Sequence, residues 1–557
     1  MPNRAEIIAQ LTAEGPFELK PDLSGPYPMQ GYRNAPSSLK AVLETTVQYA
    51  DRPFLIYEAE TLTFAEHFAK VAALSRHLLA AGVGKGDRVA LGMRNYPEWS
   101  VSFWACQAIG AIVVALNAWW TASELAFAVQ DSAPTALLID GERLERLRPL
   151  LQNPDLKAVV VTRRGGAGEG GLEFGEVTDA PTTHLPRVDV APGDIATILY
   201  TSGTTGNPKG AMATHANHVT NLMNSLLAGA VARMATGLPA QADPDAPQAG
   251  VLQTFPFFHI GGLTGLYFGA ATGAKIALMY KWVPVEAVRL IETNALSSVA
   301  GVPIVVRQLL ETAAGQGARM DSLVGVTSGG APVPPDLIRR IGEQFSNRAA
   351  PGNGYGLTET TSAVITNSGA DYLAQPDSVG RPVVTAQVRV VDEAGRQQPQ
   401  GEIGELWVRG PNVIPGYWNN PDATEAAFGG GWFRTGDLGF VDADGLYYVV
   451  DRMKDVIIRA GENVYCAEVE AAILEHPLVR DAGVVGLPHA DLGEEVAAVI
   501  LVASDQMGEG VAEDITRSLA GKLARFKIPT AISLTDRELP RTATGKILKR
   551  EMRSRYF

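Results

Sequence analysis

The chain has 557 residues, 46% apolar and 19% charged, and a formal net charge of −13. That length exceeds what one hydrophobic core serves, so two or more domains are expected. The acidic balance argues against nucleic acid as the main partner, because a phosphate backbone needs a basic surface. Two cysteines, Cys106 and Cys466, are too few for a disulfide framework and lack metal-ligand spacing. Their scarcity fits a reducing, cytoplasmic setting. Residues 1–20 have no basic start leading into an apolar core, so no signal peptide is expected.

In chain order, Thr63 to Leu79 carries helical spacing of apolar residues and stops near Gly82. Arg88 to Met93 reads as a strand. Phe103 to Trp120 is long and apolar enough to resemble a membrane span. Gln107 and Asn117 interrupt it, however, and Gly110 falls where a helix hands over to a strand. A buried helix followed by a buried strand is therefore expected, with no transmembrane segment. Peripheral membrane contact and a homodimer stay open. Short Val/Ile-rich runs recur at Ala158–Val161, Ile195–Tyr200, Leu252–Phe255 and Ile276–Tyr280. Alternating with helices, they predict layers of mostly parallel α/β structure. Thr162–Thr183 and Met234–Gly250 are rich in Gly, Pro and Asp and predict mobile surface loops.

The apolar run Ile195 to Leu199 leads into Tyr200-Thr-Ser-Gly-Thr-Thr-Gly-Asn-Pro-Lys-Gly210, with three glycines, four hydroxyl residues and one lysine. Such a loop suits polyphosphate. Glycines let the backbone approach an anion, amides and hydroxyls donate to it, and the lysine adds charge. It is not a Walker loop, because Lys209 is followed by Gly210 and Ala211 and no hydroxyl is placed there for magnesium.

From Ala386 the pattern changes. Val388–Val391, Gly404–Arg409 and Gly445–Val450 predict strands separated by Asp/Gly turns. After Asp451-Arg-Met-Lys-Asp455 a compact mixed unit follows. In its tail, Lys522 to Arg555, basic residues outnumber acidic ones. Five more segments carry chemistry: Ser328-Gly-Gly-Ala-Pro332, Asn353-Gly-Tyr-Gly-Leu-Thr-Glu359, Trp432-Phe-Arg-Thr-Gly-Asp437, Arg459-Ala-Gly-Glu-Asn-Val-Tyr465 and Pro540-Arg-Thr-Ala-Thr-Gly-Lys546.

Together with the glycine-rich loop, these segments resemble, in order and spacing, the motifs of the adenylate-forming (ANL) superfamily. That group includes acyl-CoA synthetases, luciferases and peptide-synthetase adenylation domains. The resemblance runs from about Ser38 to Lys549. It implies an α/β fold with a large N-terminal AMP-binding domain, 1–453, built of layered α/β subdomains plus a β-rich subdomain around 386–450. A small mobile α+β domain, 454–557, follows a hinge at Lys454.

The resemblance also assigns roles. Thr201, Ser202, Gly203, Thr204, Thr205, Gly206 and Lys209 would hold the β- and γ-phosphates of ATP. Gly330, Ala331 and Pro332 would line the adenine, and within the run Asn353, Gly354, Tyr355 and Gly356 the tyrosine would stack on it. Thr358 would bond the α-phosphate, and Glu359 would ligate Mg2+. Asp437 would bind the ribose hydroxyls, with Arg452 on ribose or phosphate. Lys546 would bridge the attacking carboxylate and the α-phosphate. Gly461 and Glu462 would border the pantetheine path of CoA. Cys466, where many relatives carry proline, is expected to be a small packing residue.

Phe255-Pro-Phe-Phe-His-Ile-Gly-Gly262 resembles the acyl gate, with His259 shifting to admit the acid. His259, Ile260, Gly329, Gly354 and Gly356 would line the acyl pocket. Amino-acid-activating relatives carry an aspartate after the aromatic residue here, and this chain has none. Gly354 replaces a bulky residue that shortens the pocket in some aryl-acid ligases. These features favour a hydrophobic acid without an amine. A medium- or long-chain fatty acid is the first expectation, and a polycyclic or aromatic acid the alternative. An acyl-AMP ligase loading a carrier protein in trans is the rival acceptor. A non-catalytic nucleotide-binding module is opposed by intact Lys209, Glu359, Asp437 and Lys546.

Overall fold

The structure, a computed structural model, describes every residue except 1–2, 23–26, 169, 180–181, 202–207, 242, 244, 346–347 and 543–544. Two large sheets dominate the first part of the chain. One has eight strands, in the spatial order Gly416–Tyr417, Lys209–Thr214, Ile195–Thr201, Ile112–Ala115, Arg88–Gly92, Ala136–Asp140, Ala158–Thr162 and Leu172–Glu173. From Ile195–Thr201 onward the neighbours are parallel. The other has nine strands. Its parallel centre runs through Ala350–Leu357, Gly325–Gly329, Ser298–Gly301, Gly250–Gln253, Lys275–Leu278 and Pro53–Tyr57.

Strand alternation explains the layers. Val89, Leu91, Val113 and Ala115 share a core with Leu55, Tyr57 and Ile276 of the second sheet. That core also holds helices Phe64–Ala80, Pro97–Ile109, His215–Ala235 and Ile260–Thr272, so a helical layer separates the two sheets. The intervening residues Ala90, Ile112 and Val114 face a different core, with helices Ala122–Ser132 and Gly141–Leu147. On the far side of the second sheet, Ile56, Val299 and Val326 pack on helices Pro284–Thr293, Pro303–Gln316 and Pro335–Gln344. Buried on both faces, such strands read as continuous apolar runs.

The apolar stretch that resembled a membrane span is helix Pro97–Ile109 followed by strand Ile112–Ala115. Gly110 ends the helix at φ +68, its amide donating back to Cys106 and Gln107. Among the described residues no helix is long and apolar enough to cross a membrane. Thr162–Thr183 differs from the expected open loop. It contains strand Leu172–Glu173 and helix Phe174–Thr178, because Phe174 and Val177 bury themselves beside helix Phe64–Ala80. Phe255, expected to end a strand, lies beyond it, since pairing stops at Gln253.

Residues 387–452 form a five-stranded sheet, with Gly404–Arg409 and Trp432–Val441 at its centre and Tyr447–Arg452 paired to the latter. A separate five-stranded sheet spans 457–535. Its long hairpin, Val479–His489 with Gly493–Val502, carries Ala531–Thr535 in parallel. Helices Cys466–Leu474 and Val511–Leu519 cover it. Cys466 is buried in that core, as a small packing residue would be.

One buried ion pair ties the first sheet to the segment leaving Ile112–Ala115. Arg143 is fully buried and donates through Nε to Asp140 (2.7 Å) and through Nη1 to the Ala118 carbonyl (2.9 Å). Breaking a buried pair strands the other charge. Arg143→Met is therefore expected to lower unfolding free energy by about 3–5 kcal/mol. Urea denaturation checks this, and a loss below about 1 kcal/mol contradicts it.

Candidate active site

The two strands that flank the glycine-rich loop are paired to each other. Thr201 ends one and Lys209 begins the antiparallel return, paired in register, with Thr201 Oγ1 donating to the Lys209 carbonyl (3.4 Å). Ser202, Gly203, Thr204, Thr205 and Gly206 lie outside the described residues. Lys209 Nζ stands 5.1 Å from the ring centre of Tyr417, whose hydroxyl donates to Glu359 Oε1 (2.8 Å). Tyr417 thus links the loop lysine to the Asn353–Glu359 segment. Sequence reading missed it, because its only signal is a two-residue strand that pairs with Ala211 and Met212.

Glu359 sits in a short turn after strand Ala350–Leu357. Thr360 clamps that turn, its Oγ1 accepting from the Leu357 amide and donating to the Ser362 carbonyl. Asn412 Nδ2 holds the Thr360 carbonyl (2.8 Å). Thr361 and Ser362 follow at φ +48 and +84, conformations that side-chain-bearing residues adopt only when neighbours impose them.

Tyr355, from the same strand, donates to Asp437 Oδ2 (2.7 Å), and Arg452 Nε donates to Oδ1 (2.6 Å). Asp437 and Arg452 face each other across adjacent strands. The carboxylate is 3% exposed. Burial pushes its pKa up, opposed by Arg452, Tyr355, Lys546 and Lys454. Each carboxylate oxygen has a second acceptor site, so both remain open to further donors such as ribose hydroxyls.

Lys546 arrives from the other end of the chain. Thr542 N donates to its carbonyl (2.8 Å), closing a turn through Gly545 at φ +82. A side chain at Gly545 would press on Val302 (2.7 Å). Arg541 pairs with Asp481 and donates to the Gly545 carbonyl (2.5 Å), bracing the turn. The ammonium keeps accessible surface while standing deep among protein atoms, as a group lining a solvent-open cleft does. Loss of bulk solvation lowers its pKa, and Arg452 lowers it further, whereas Asp437 and Glu359 raise it. Among the described residues it makes no ion pair. It is held near anions without resting on one.

His259 Nδ1 accepts from the Gly261 amide (3.2 Å), capping helix Ile260–Thr272, and its ring stacks on Phe255. Burial, with Lys546 nearby, pushes it down to about 4, so the imidazole is neutral at neutral pH. Gly330, at φ +79, lies beside Phe255 and Val302. Gly329 and Gly354 are cross-strand partners. A Cβ on Gly354 would stand 3.1 Å from that of Ala363, and one on Gly356 would overlap the Ser362 carbonyl. Close strand approach therefore demands glycine at 356. Gly461, at φ +85, and Glu462 form an exposed hairpin tip with nothing near a Cβ on Gly461. The structure brings together Lys209, Glu359, Tyr355, Asp437, Arg452 and Lys546, but not this tip. Beside them, Lys209, Glu359, Tyr417, Thr435, Arg452 and Met453 border a cavity of about 420 Å³.

Residues 43–418 match the family model of AMP-binding enzymes, and residues 468–546 match that of the AMP-binding enzyme C-terminal domain. The chain belongs to the AMP-binding enzyme family. It is 35% identical over 496 residues to a feruloyl-CoA synthase of an Amycolatopsis species, covering 89% of this chain and 94% of that one. It is 34% identical over 506 residues to a 2-succinylbenzoate–CoA ligase of Bacillus thuringiensis, covering 90% and 95%. The o-succinylbenzoate CoA synthetase of Bacillus subtilis, solved with its acyl-adenylate, superposes with a TM-score of 0.77 at 30% identity, covering 92% and 97%. An anthranilate CoA ligase solved with anthranoyl-AMP gives 0.83 at 27%, covering 93% and 96%.

The lysine's surroundings set a pH dependence. For the free enzyme, kcat/KM for ATP should fall at alkaline pH as Lys546 loses its proton, below the usual lysine range. Asp437 stabilises the ammonium, so Asp437→Asn should move that limb to lower pH, whatever it does to the plateau. A limb that stays, or moves upward, contradicts the coupling.

Proposed function

We propose that this protein is an ATP-dependent acid–CoA ligase that works through an acyl-adenylate, and that its acid is of aryl type. The observation that carries the reading is the junction of Tyr355 and Arg452 on Asp437, with Glu359 held by Tyr417, and Lys546 within electrostatic reach of Asp437, Arg452 and Glu359. A carboxylate is a poor electrophile, since its charge and resonance repel nucleophiles. Attack by its oxygen on the α-phosphorus of ATP expels pyrophosphate and leaves a mixed anhydride. Charge on the triphosphate then has to be offset as bonds change.

The residues fit those tasks. Lys209 supplies charge at the loop, and Thr358 stands ready for the α-phosphate. Asp437 offers its spare acceptor sites to ribose. Lys546, which makes no ion pair among the described residues, can bridge two anions, the acid and the α-phosphate. For Mg2+, Glu359 keeps one carboxylate oxygen while Tyr417 holds the other. Among the described residues no three potential metal-ligating groups cluster. That suits an ion which takes few carboxylates and completes its shell with phosphate oxygens and water. Bound there, Mg2+ would neutralise triphosphate charge.

In the second step the CoA thiol attacks the acyl carbon and AMP leaves. Neither cysteine is needed. We assign this step to a rotated arrangement, turning about Lys454 between units 1–453 and 454–557, that brings Gly461 and Glu462 to the site. The relatives and solved neighbours named above handle feruloyl, succinylbenzoate and anthranilate groups. They support the aromatic alternative over the fatty acid that sequence reading put first.

The test is pyrophosphate release with ATP and Mg2+ across aryl and fatty acids, with and without CoA. AMP and a thioester forming with aryl acids and CoA support the reading. Faster release with fatty acids overturns the acid class, and pyrophosphate without thioester points to a carrier protein. Lys546→Ala is expected to cut acid-dependent pyrophosphate release by roughly 10²–10³. It should largely spare CoA transfer from supplied acyl-adenylate. Gly461→Leu should do the reverse. Equal loss of both steps in either variant contradicts the division of labour.

A further inference from the structure

Two buried carboxamides outside the nucleotide site each have one end without a partner among the described residues. Asn221, on helix His215–Ala235, is 1% exposed. Its Oδ1 accepts from Tyr267 (2.5 Å) and Thr264 (3.4 Å), but its Nδ2 donates to no described residue. Gln253, at the end of strand Gly250–Gln253, is 4% exposed. Its Nε2 donates to the Phe255 carbonyl (2.7 Å), and its Oε1 receives no described donor. Neither atom is among the sealed ones that lack a partner, so each still opens onto accessible space and can take a hydrogen-bonding occupant there.

Both border the same helix, Ile260–Thr272, whose first turn is capped by His259 next to Lys546. Along it, Gly262, Leu263, Leu266 and Tyr267 are sealed, whereas Gly261, Thr264, Gly265 and Phe268 keep accessible surface on one side. Asn221 meets this side at Thr264. Gln253 meets it at Gly265, with Oε1 2.5 Å from where a Cβ would stand. These positions lie five and six residues beyond His259, roughly 8 Å along the axis. A ring on a short side chain crosses that span from a carboxylate held at Lys546.

We propose that Asn221 and Gln253 form a polar subsite at the far end of the acyl pocket, recognising an uncharged hydroxyl on the ring of an aryl acid. This rests on the ligase reading above. A phenolic hydroxyl both accepts and donates, matching Nδ2 on one side and Oε1 on the other. A second carboxylate does not fit. Among the described residues no Lys or Arg bonds to Asn221, Gln253, Thr264 or Tyr267. The nearby His218 ring bonds Thr197 (2.9 Å), and burial pushes it down to about 3, so it stays neutral. A buried anion without a counter-charge is strongly disfavoured.

The experiment compares 4-hydroxycinnamic, cinnamic and 4-carboxycinnamic acids in the pyrophosphate assay with the full chain. The hydroxylated acid is expected to exceed cinnamic acid in kcat/KM by about tenfold or more, because the plain ring leaves both amides unpaired. The 4-carboxy acid should be the poorest. Asn221→Leu is made on a Tyr267→Phe background so that no phenol is orphaned, and melting temperature reports folding. The double variant and Gln253→Met should each bring the hydroxyl preference close to one, while Tyr267→Phe alone keeps it. A wild-type ratio near one, a preference for the 4-carboxy acid, or a ratio unmoved in folded variants overturns the subsite alone. No pyrophosphate from any acid of either set overturns the ligase reading, and the subsite with it.

Discussion

The Asp437 carboxylate is the fixed point of this molecule. A carboxylate at 3% exposure persists only where its charge is matched and its lone pairs are used. Arg452 supplies the charge from the neighbouring strand, and Tyr355 donates from a different sheet. One side chain therefore locks the strand end that carries Tyr355 and Glu359 to the β-rich sheet and to the residue before Met453-Lys454. The same anion helps hold the charge of Lys546 against desolvation. Without it, the ammonium would give up its proton more readily.

Lys546, which keeps accessible surface, differs from the buried charges here. Arg143 rests on Asp140, and Lys549 on Glu470, where burial is opposed by direct pairing. Among the described residues Lys546 makes no ion pair and is influenced by Asp437 and Glu359 without bonding either. A lysine already paired would have to break that bond to serve two incoming anions. One left among dispersed charges loses nothing on meeting them, and this preorganisation is what a charge-stabilising group requires.

The layered α/β architecture was legible because strands buried on both faces are apolar throughout, as at Arg88–Gly92 and Ala136–Asp140. Gly110 marked the helix–strand handover in the run that resembled a membrane span, since its positive φ is the ordinary way a helix ends. The segments that carry Lys209, Glu359, Tyr355, Asp437 and Arg452 stood out in the sequence because glycine, hydroxyl and charge patterns are local. What escaped was long-range. Tyr417 reaches Glu359 only through a short edge pairing, and Asn412 clamps Thr360 from 52 positions away. Asn221 looked like one polar residue in a helix. Its meaning comes from Tyr267 and Thr264 on another helix, and no spacing rule connects the two.

The segment around Lys546 is seated by few, identifiable contacts. Its bracing is internal to the last unit, since Arg541 pairs with Asp481 and holds the Gly545 carbonyl. Toward the large sheets, Gly545 stands against Val302, and Arg307 reaches the Arg480 carbonyl at 3.4 Å. A bulkier residue at 545 would clash with Val302 and would also be strained at φ +82. Glycine is thus required twice, for the conformation and for the approach. An exposed hairpin tip at Gly461 waits on the same unit. The segment that carries Lys546 is thus seated by glycine's freedom at one position and by the Arg541–Asp481 pair within its own unit.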